Sequence, residues 1–165
     1  MKTAHLLERY PELSLQSIDI APQRATDETG DLAARESERL GIPLHIEAGD
    51  ATTLDWWDGI AFDAILLDAP CSATGTLRRH PDVKIHRTAA DIAAAATLQT
   101  KLIGNLWQTL APGGSLLYCT CSILPDENDA VVRAFVSVTP DAEVEVLAAT
   151  TGRHTPMGLQ LLPET

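Results

Sequence analysis

One stretch constrains the fold more than any other: Phe62-Asp63-Ala64-Ile65-Leu66-Leu67-Asp68, near-continuously apolar and of strand length. Such a run is expected of a strand buried on both faces of a parallel sheet. A long loop follows to about residue 88. Residues 91–110 then carry Leu98, Leu102, Ile103, Leu106 and Leu110 at helical spacing. A second apolar run, Ser115-Leu116-Leu117-Tyr118-Cys119-Thr120, comes next. Strand, loop, helix and strand in that order point to an α/β fold with a mostly parallel sheet.

The flanking segments fit the same alternation. Residues 3–9 read as the tail of a helix ended by Tyr10-Pro11, and residues 15–20 as a short strand. Pro22 stands where a helix begins, and a helical stretch interrupted by Gly30 runs to about Leu40, with Gly41 as C-cap and Pro43 beyond it. Residues 44–47 make the next strand, closed by Gly49-Asp50, and Trp56 and Trp57 fall in a polar turn. Pro112-Gly113-Gly114 ends the long helix. Pro125 opens another through about Val138, where Asp126, Glu127 and Asp129 suit the positive N-terminal end. Residues 143–147 are a last strand candidate, and residues 150–165 read as loop. No repeat or linker divides the chain, so residues 1–165 are expected to form a single domain.

Charge narrows the partners. A formal net charge of -11 argues against broad attraction to nucleic acid. Yet Arg78, Arg79, Lys84 and Arg87 place four of the twelve Lys and Arg residues within ten positions, with His80 and His86 beside them. Asp82 is the one acid there; the cluster is either a local anion-binding feature or a solvated loop. No apolar run approaches the roughly 18 to 20 residues that span a bilayer. The N-terminus lacks the apolar segment of a secretory signal, so a cytoplasmic location is expected, with no membrane partner. Three cysteines, Cys71, Cys119 and Cys121, form no disulfide framework and fit a reducing compartment. Cys119-Thr120-Cys121 lacks the partner cluster of a tetrahedral site, so no metal is expected.

Ligands of open α/β sheets bind beyond the carboxyl ends of strands. Two strands end in unusual loops, Leu67-Asp68-Ala69-Pro70-Cys71-Ser72-Ala73-Thr74-Gly75 and Tyr118-Cys119-Thr120-Cys121-Ser122. If the strands are neighbours, both loops open on one crevice and bring two thiols and a carboxylate together. A thiolate there is a strong nucleophile, and a helix beginning near Pro125 would favour the anion at Cys121. Taken singly, each cysteine also reads as an inert core residue.

The segment from Asp68 to Gly75, with Arg78-Arg79-His80-Pro81-Asp82 and Thr120-Cys121-Ser122, resembles the Sun-type family of RNA cytosine-5 methyltransferases, most of all its bacterial small-subunit ribosomal RNA branch. The resemblance covers nearly the whole chain. It implies a Rossmann-like methyltransferase fold, S-adenosylmethionine as cofactor and ribosomal RNA as partner. It also implies Cys121 as the nucleophile that attacks C6 of cytosine, and Cys71 as the helper in C5 proton removal and product release. On the same basis Asp68 contacts the cofactor and holds the cytosine edge, Asp19 takes the ribose, Asp50 lies near the adenine, and Lys2 continues the cofactor loop. Read alone, Asp19 is equally a strand-end cap and Asp50 an ordinary turn residue. Arg78, Arg79, His80 and Lys84 are candidates to hold RNA.

The resemblance also has gaps. The family's first strand and glycine-rich loop, ending Gly-Gly-Lys-Thr, are matched only from Lys2-Thr3 onward, and its final Gly- and Phe-containing hairpin lies past Gly158-Leu159-Gln160. The missing strand belongs between those of Asp19 and Asp68, which must then pair directly or leave backbone groups unpaired. Weak or absent cofactor binding is the expectation. Two other functions stand beside this one. A methyltransferase for an exocyclic amine would need no thiol and carries a different loop from Asp68-Ala69-Pro70-Cys71. A Rossmann-like module that only binds would need neither cysteine.

Overall fold

The computed structural model describes residues 2–20, 32–41, 44, 46–148 and 151–162, except the side chains of residues 32–34. The helix start expected at Pro22, its interruption at Gly30 and the residue Pro43 lie outside the described residues. Two compact units make up the chain, Met1–Asp58 and Gly59–Thr165.

In the first unit, α1 (Lys2–Arg9) buries Ala4 and Leu7 and packs with α2 (Leu32–Leu40). Gly41, with φ of 65°, follows α2 as expected of a C-cap. β1 (Ile18–Asp19) pairs in parallel with β2 (Glu47–Ala48), Asp19 opposite Ala48. Both strands are shorter than the sequence suggests. The Thr3 and Ser17 hydroxyls, 3.1 Å apart, tie α1 to the approach of β1.

The second unit is built on β3 (Phe62–Asp68) and β4 (Leu110–Cys119), also parallel, with Asp68 opposite Cys119. The crossover is α4 (Ala89–Trp107), preceded by the short α3 (Val83–His86). A capping box starts α4: the Asp91 amide donates to Thr88 Oγ1 at 3.2 Å, and the Thr88 amide donates to the Asp91 carboxylate at 2.8 Å. Leu102, Ile103 and Leu106, the centre of the expected stripe, are buried with Val131 and Phe135 of α5 (Asp129–Val138). Trp107 and Phe135 meet edge to face, ring centres 5.4 Å apart.

Several expectations are corrected here. The long helix stops at Trp107, so Leu110 belongs to β4. Pro112-Gly113-Gly114 lies inside β4, where register jumps from Phe62↔Leu110 to Ala64↔Ser115. A proline without an amide and Gly113 at φ of 78° suit an irregularity in a ladder. Burial of β3 is one-sided: Leu67 is 8% exposed, while Leu66 and its register partner Leu117 are 37% and 49% exposed. No strand forms at residues 143–147. The expected terminal loop instead contains an antiparallel hairpin, β5 (Arg153–Thr155) with β6 (Gly158–Gln160).

Candidate active site

The parallel register brings the two cysteine loops together at the carboxyl ends of β3 and β4. One ladder bond runs past the strand ends: the Ala69 amide donates to the Cys119 carbonyl at 2.9 Å. The Cys71 and Cys121 sulfurs, fifty residues apart in sequence, lie 3.2 Å from each other. Cys71 is half-buried and Cys121 exposed, and both are free thiols. Asp68 closes the group, its Oδ1 3.9 Å from the Cys119 sulfur, which also lies 3.4 Å from the Leu67 carbonyl.

Partial burial, the hydrogen bond with Cys71, and the charges of Cys71 and Asp68 push the Cys121 thiol up to about 11. The helix-dipole expectation is therefore corrected. A 3-10 turn (Pro125–Glu127) comes first and α5 begins only at Asp129, eight residues past Cys121 and not near Pro125 as expected.

Behind the cysteines is a feature that sequence reasoning assigned elsewhere. Glu127, expected only to suit the positive N-terminal end of a helix, is fully buried. Its carboxylate accepts from the Ser72 amide at 2.7 Å, the Ser122 hydroxyl at 2.6 Å, the Gln99 side-chain amide at 3.2 Å and the Ser72 hydroxyl. Burial works against the charge, yet the hydrogen bonds from Ser122, Ser72 and Gln99 outweigh it and hold Glu127 below the ordinary carboxylate range. The signal available in the sequence was the repeated dipeptide Cys71-Ser72 and Cys121-Ser122. Around it, Thr120 Oγ1 donates to Asn128 Oδ1 at 2.8 Å, and the Asn128 side-chain Nδ2 donates to the Ser122 and Leu124 carbonyls at 3.0 and 2.8 Å.

Arg78, Arg79 and His80 follow the 3-10 turn at Thr74–Thr76 and are exposed, as is Lys84 in α3. Among the described residues none of the four is ion-paired. The remaining candidates belong to the other unit. Lys2 opens α1, and Asp19 ends β1 and passes its carbonyl to the Gly49 amide at 3.0 Å. Asp50 Oδ1 accepts from the Thr52 amide at 2.8 Å, the bond of a turn aspartate. Trp56, in the same turn, packs on the open side of Gly49, where an added Cβ would meet its Cβ at 3.2 Å. Among the described residues no group of His, Cys, Asp and Glu is arranged to hold a metal, and no helix is long and apolar enough to cross a membrane.

Residues 1–165 match the family described as 16S rRNA methyltransferase RsmB/F. The chain belongs to this family. The ribosomal RNA small subunit methyltransferase B of Xanthomonas campestris pv. campestris is 46% identical to this RsmB/F chain over 162 residues, covering 98% of the chain and 37% of that relative. The protein of the same name from Vibrio cholerae is 52% identical over 145 residues, covering 87% of the chain and 32% of the relative. The RsmB/F chain thus spans about a third of the length of these relatives. Among solved structures, NSun6 from Pyrococcus horikoshii with SFG superposes with a TM-score of 0.69 at 28% identity, over 87% of this chain and 35% of that one. The fold is accordingly that of the Rossmann-like methyltransferases, seen in two parallel strand pairs with a helical crossover.

Proposed function

We propose that this RsmB/F chain carries the catalytic cysteines of an RNA cytosine-5 methyltransferase acting on small-subunit ribosomal RNA in the cytoplasm. The observation that carries the reading is the 3.2 Å separation of the Cys71 and Cys121 sulfurs beyond two parallel strands. C5 of cytosine is a poor nucleophile until addition at C6 breaks the ring's aromaticity, and covalent catalysis divides that hard step into two easier ones.

Cys121 gives its proton to solvent as its sulfur forms a bond to C6, moving the C5–C6 electron pair towards C5. S-adenosylmethionine, when bound, supplies the methyl group that C5 takes. Cys71, once its own proton has passed to solvent, accepts the proton that leaves C5; the electrons of that C–H bond restore the double bond as the C6–sulfur bond breaks. Cys121 departs as thiolate. Its elevated thiol requires that deprotonation accompany substrate engagement, because the free site holds the proton at neutral pH.

The acids fit the cofactor's chemistry. Asp68 ends β3 beside Cys119, and Asp19 ends β1, both at carboxyl ends of parallel strands where carboxylates accept from hydroxyl and amine donors. In this reading Asp68 contacts cofactor and cytosine edge, Asp19 takes the ribose, Asp50 lies near the adenine and Lys2 contributes from α1. Arg78, Arg79, His80 and Lys84 neutralise RNA phosphates near the flipped base.

The test follows methyl label from S-adenosylmethionine into ribosomal RNA, read as 5-methylcytosine after digestion. Cys121→Ala abolishes transfer, and Cys71→Ala accumulates a covalent protein–RNA complex stable to denaturant. Transfer that survives Cys121→Ala, with label on an exocyclic amine, overturns the reading.

A further inference from the structure

We infer that Glu127 is a positioning residue that sets the distance between the two cysteine sulfurs; this rests on the proposed role of the cysteine pair. Each cysteine is followed by a serine, and both serines bind the same carboxylate. Glu127 Oε2 takes the hydroxyls of Ser72 and Ser122, the latter at 2.6 Å. Its Oε1 takes the Ser72 backbone amide at 2.7 Å and the Gln99 side-chain amide at 3.2 Å. Gln99 in turn donates to the Pro70 carbonyl at 2.9 Å, so α4 supports the Cys71 loop through the same cluster.

Ser72, Ser122, Gln99 and Glu127 are all buried. A buried carboxylate is retained only when hydrogen-bonded, and one stripped of its donors is costly. The ionised carboxylate accepts at both oxygens, whereas a neutral amide keeps one acceptor and leaves the Ser72 and Ser122 hydroxyls or the Ser72 and Gln99 N–H groups without a charged oxygen. Other bonds join the two loops directly: the Ser72 and Ser122 hydroxyls are 3.3 Å apart, and the Ile123 amide donates to Thr74 Oγ1 at 3.2 Å. The Thr74 and Ser122 hydroxyls are 3.0 Å apart, and the Gly75 amide donates to the Cys121 carbonyl at 2.9 Å. The carboxylate differs from these in gripping the residue next to each sulfur at once, through Ser72 and Ser122. Glu127 touches neither thiol. It acts through the two serines, as a shared clamp on a pair of loops that sequence places fifty residues apart.

The experiment measures sulfur proximity directly, without methyl transfer. In the full chain carrying Cys119→Ala, dibromobimane forms a carbon–sulfur bond at each arm, releasing a bromide each time while buffer takes the thiol proton. It fluoresces strongly once both arms have reacted. The parent cross-links Cys71 to Cys121 efficiently. Glu127→Gln lowers the ratio of double to single alkylation by about ten-fold, as expected when charge-assisted bonds to both loops are removed. Single-thiol rates with monobromobimane stay within about two-fold, since thiol chemistry itself is untouched. A ratio unchanged in Glu127→Gln, with the parent cross-linking normally, overturns the clamp and leaves the cysteine pair standing. A parent that fails to cross-link overturns the reading of the pair and the clamp with it. If Glu127→Gln gives no cooperative melt, Ser72→Ala combined with Ser122→Ala decides: a fall in the ratio supports the clamp, and an unchanged ratio overturns it.

Discussion

The Gly75 amide donates to the Cys121 carbonyl at 2.9 Å, and a Cβ on Gly75 would stand 2.5 Å from that same oxygen. The 3-10 turn of one cysteine loop therefore lies against the backbone of the other, at the residue assigned as nucleophile. Gly75→Ala must push the Cys121 loop away, with Ile123 Cγ2 at 3.3 Å blocking the obvious relief. Overpacking of this kind costs about 1–3 kcal/mol. Urea unfolding measures it; a cost within experimental scatter of zero would show that the loops separate freely.

Cys121 reactivity should track an elevated thiol. Its alkylation by a monofunctional reagent is expected to rise steeply between the ordinary 9.0 and about 11. Burial is the largest cause, and the Cys71 hydrogen bond and charge come next, so Cys71→Ala lowers the midpoint without returning it fully to the ordinary value. Stability has a sign as well. Between 9.0 and about 11 the folded chain keeps a proton that the unfolded chain has released, so stability falls as pH rises through that window. A Cys121 midpoint at or below the ordinary value contradicts this.

Glu127 has the opposite dependence. Its folded carboxylate titrates below its ordinary 4.5, so the stability it confers is complete above that value and is lost as pH falls through the folded one. Glu127→Gln is expected to unfold at lower urea than the parent at neutral pH. The gap should narrow as pH drops below 4.5. A gap that does not change with pH means that the side chain acts by shape alone.

The exposed cations give a salt test. Replacing Arg78 and Arg79 by Ala leaves up to two RNA phosphates without a neutralising partner. The slope of log binding constant against log salt for single-stranded RNA should become shallower by about 0.7 for each such phosphate. Filter binding at several salt concentrations reads it. An unchanged slope assigns these residues to a solvated surface.

Much of the fold is written in local pattern. The apolar run ending at Asp68, the helix through Leu102, Ile103 and Leu106, and the strand before Cys121 all depend on periodicity within a few residues, and each forms nearly as expected. The Asp-Ala-Pro-Cys-Ser and Thr-Cys-Ser loops, and with them the family, are legible for the same reason. Where local pattern misleads, the deciding partner is remote. The apolar alternation of residues 143–147 pairs with no strand among the described residues, while residues 153–160, without a hydrophobic pattern, form a hairpin by pairing with each other. Pro112-Gly113-Gly114 reads as a helix stop and is absorbed into β4, since the strand opposite tolerates a register jump.

Short-range spacing and motif are thus enough to specify the strands at Asp68 and Cys119, the crossover helix between them, and which two thiols are the candidates. That the thiols touch, that Cys121 is held protonated, and that Glu127 faces inward between Ser72 and Ser122 emerges only once the chain is folded. A carboxylate's fate depends on which donors surround it in space. Here the donors come from the two cysteine loops and from α4, segments far apart in the chain, which no window of neighbouring residues contains.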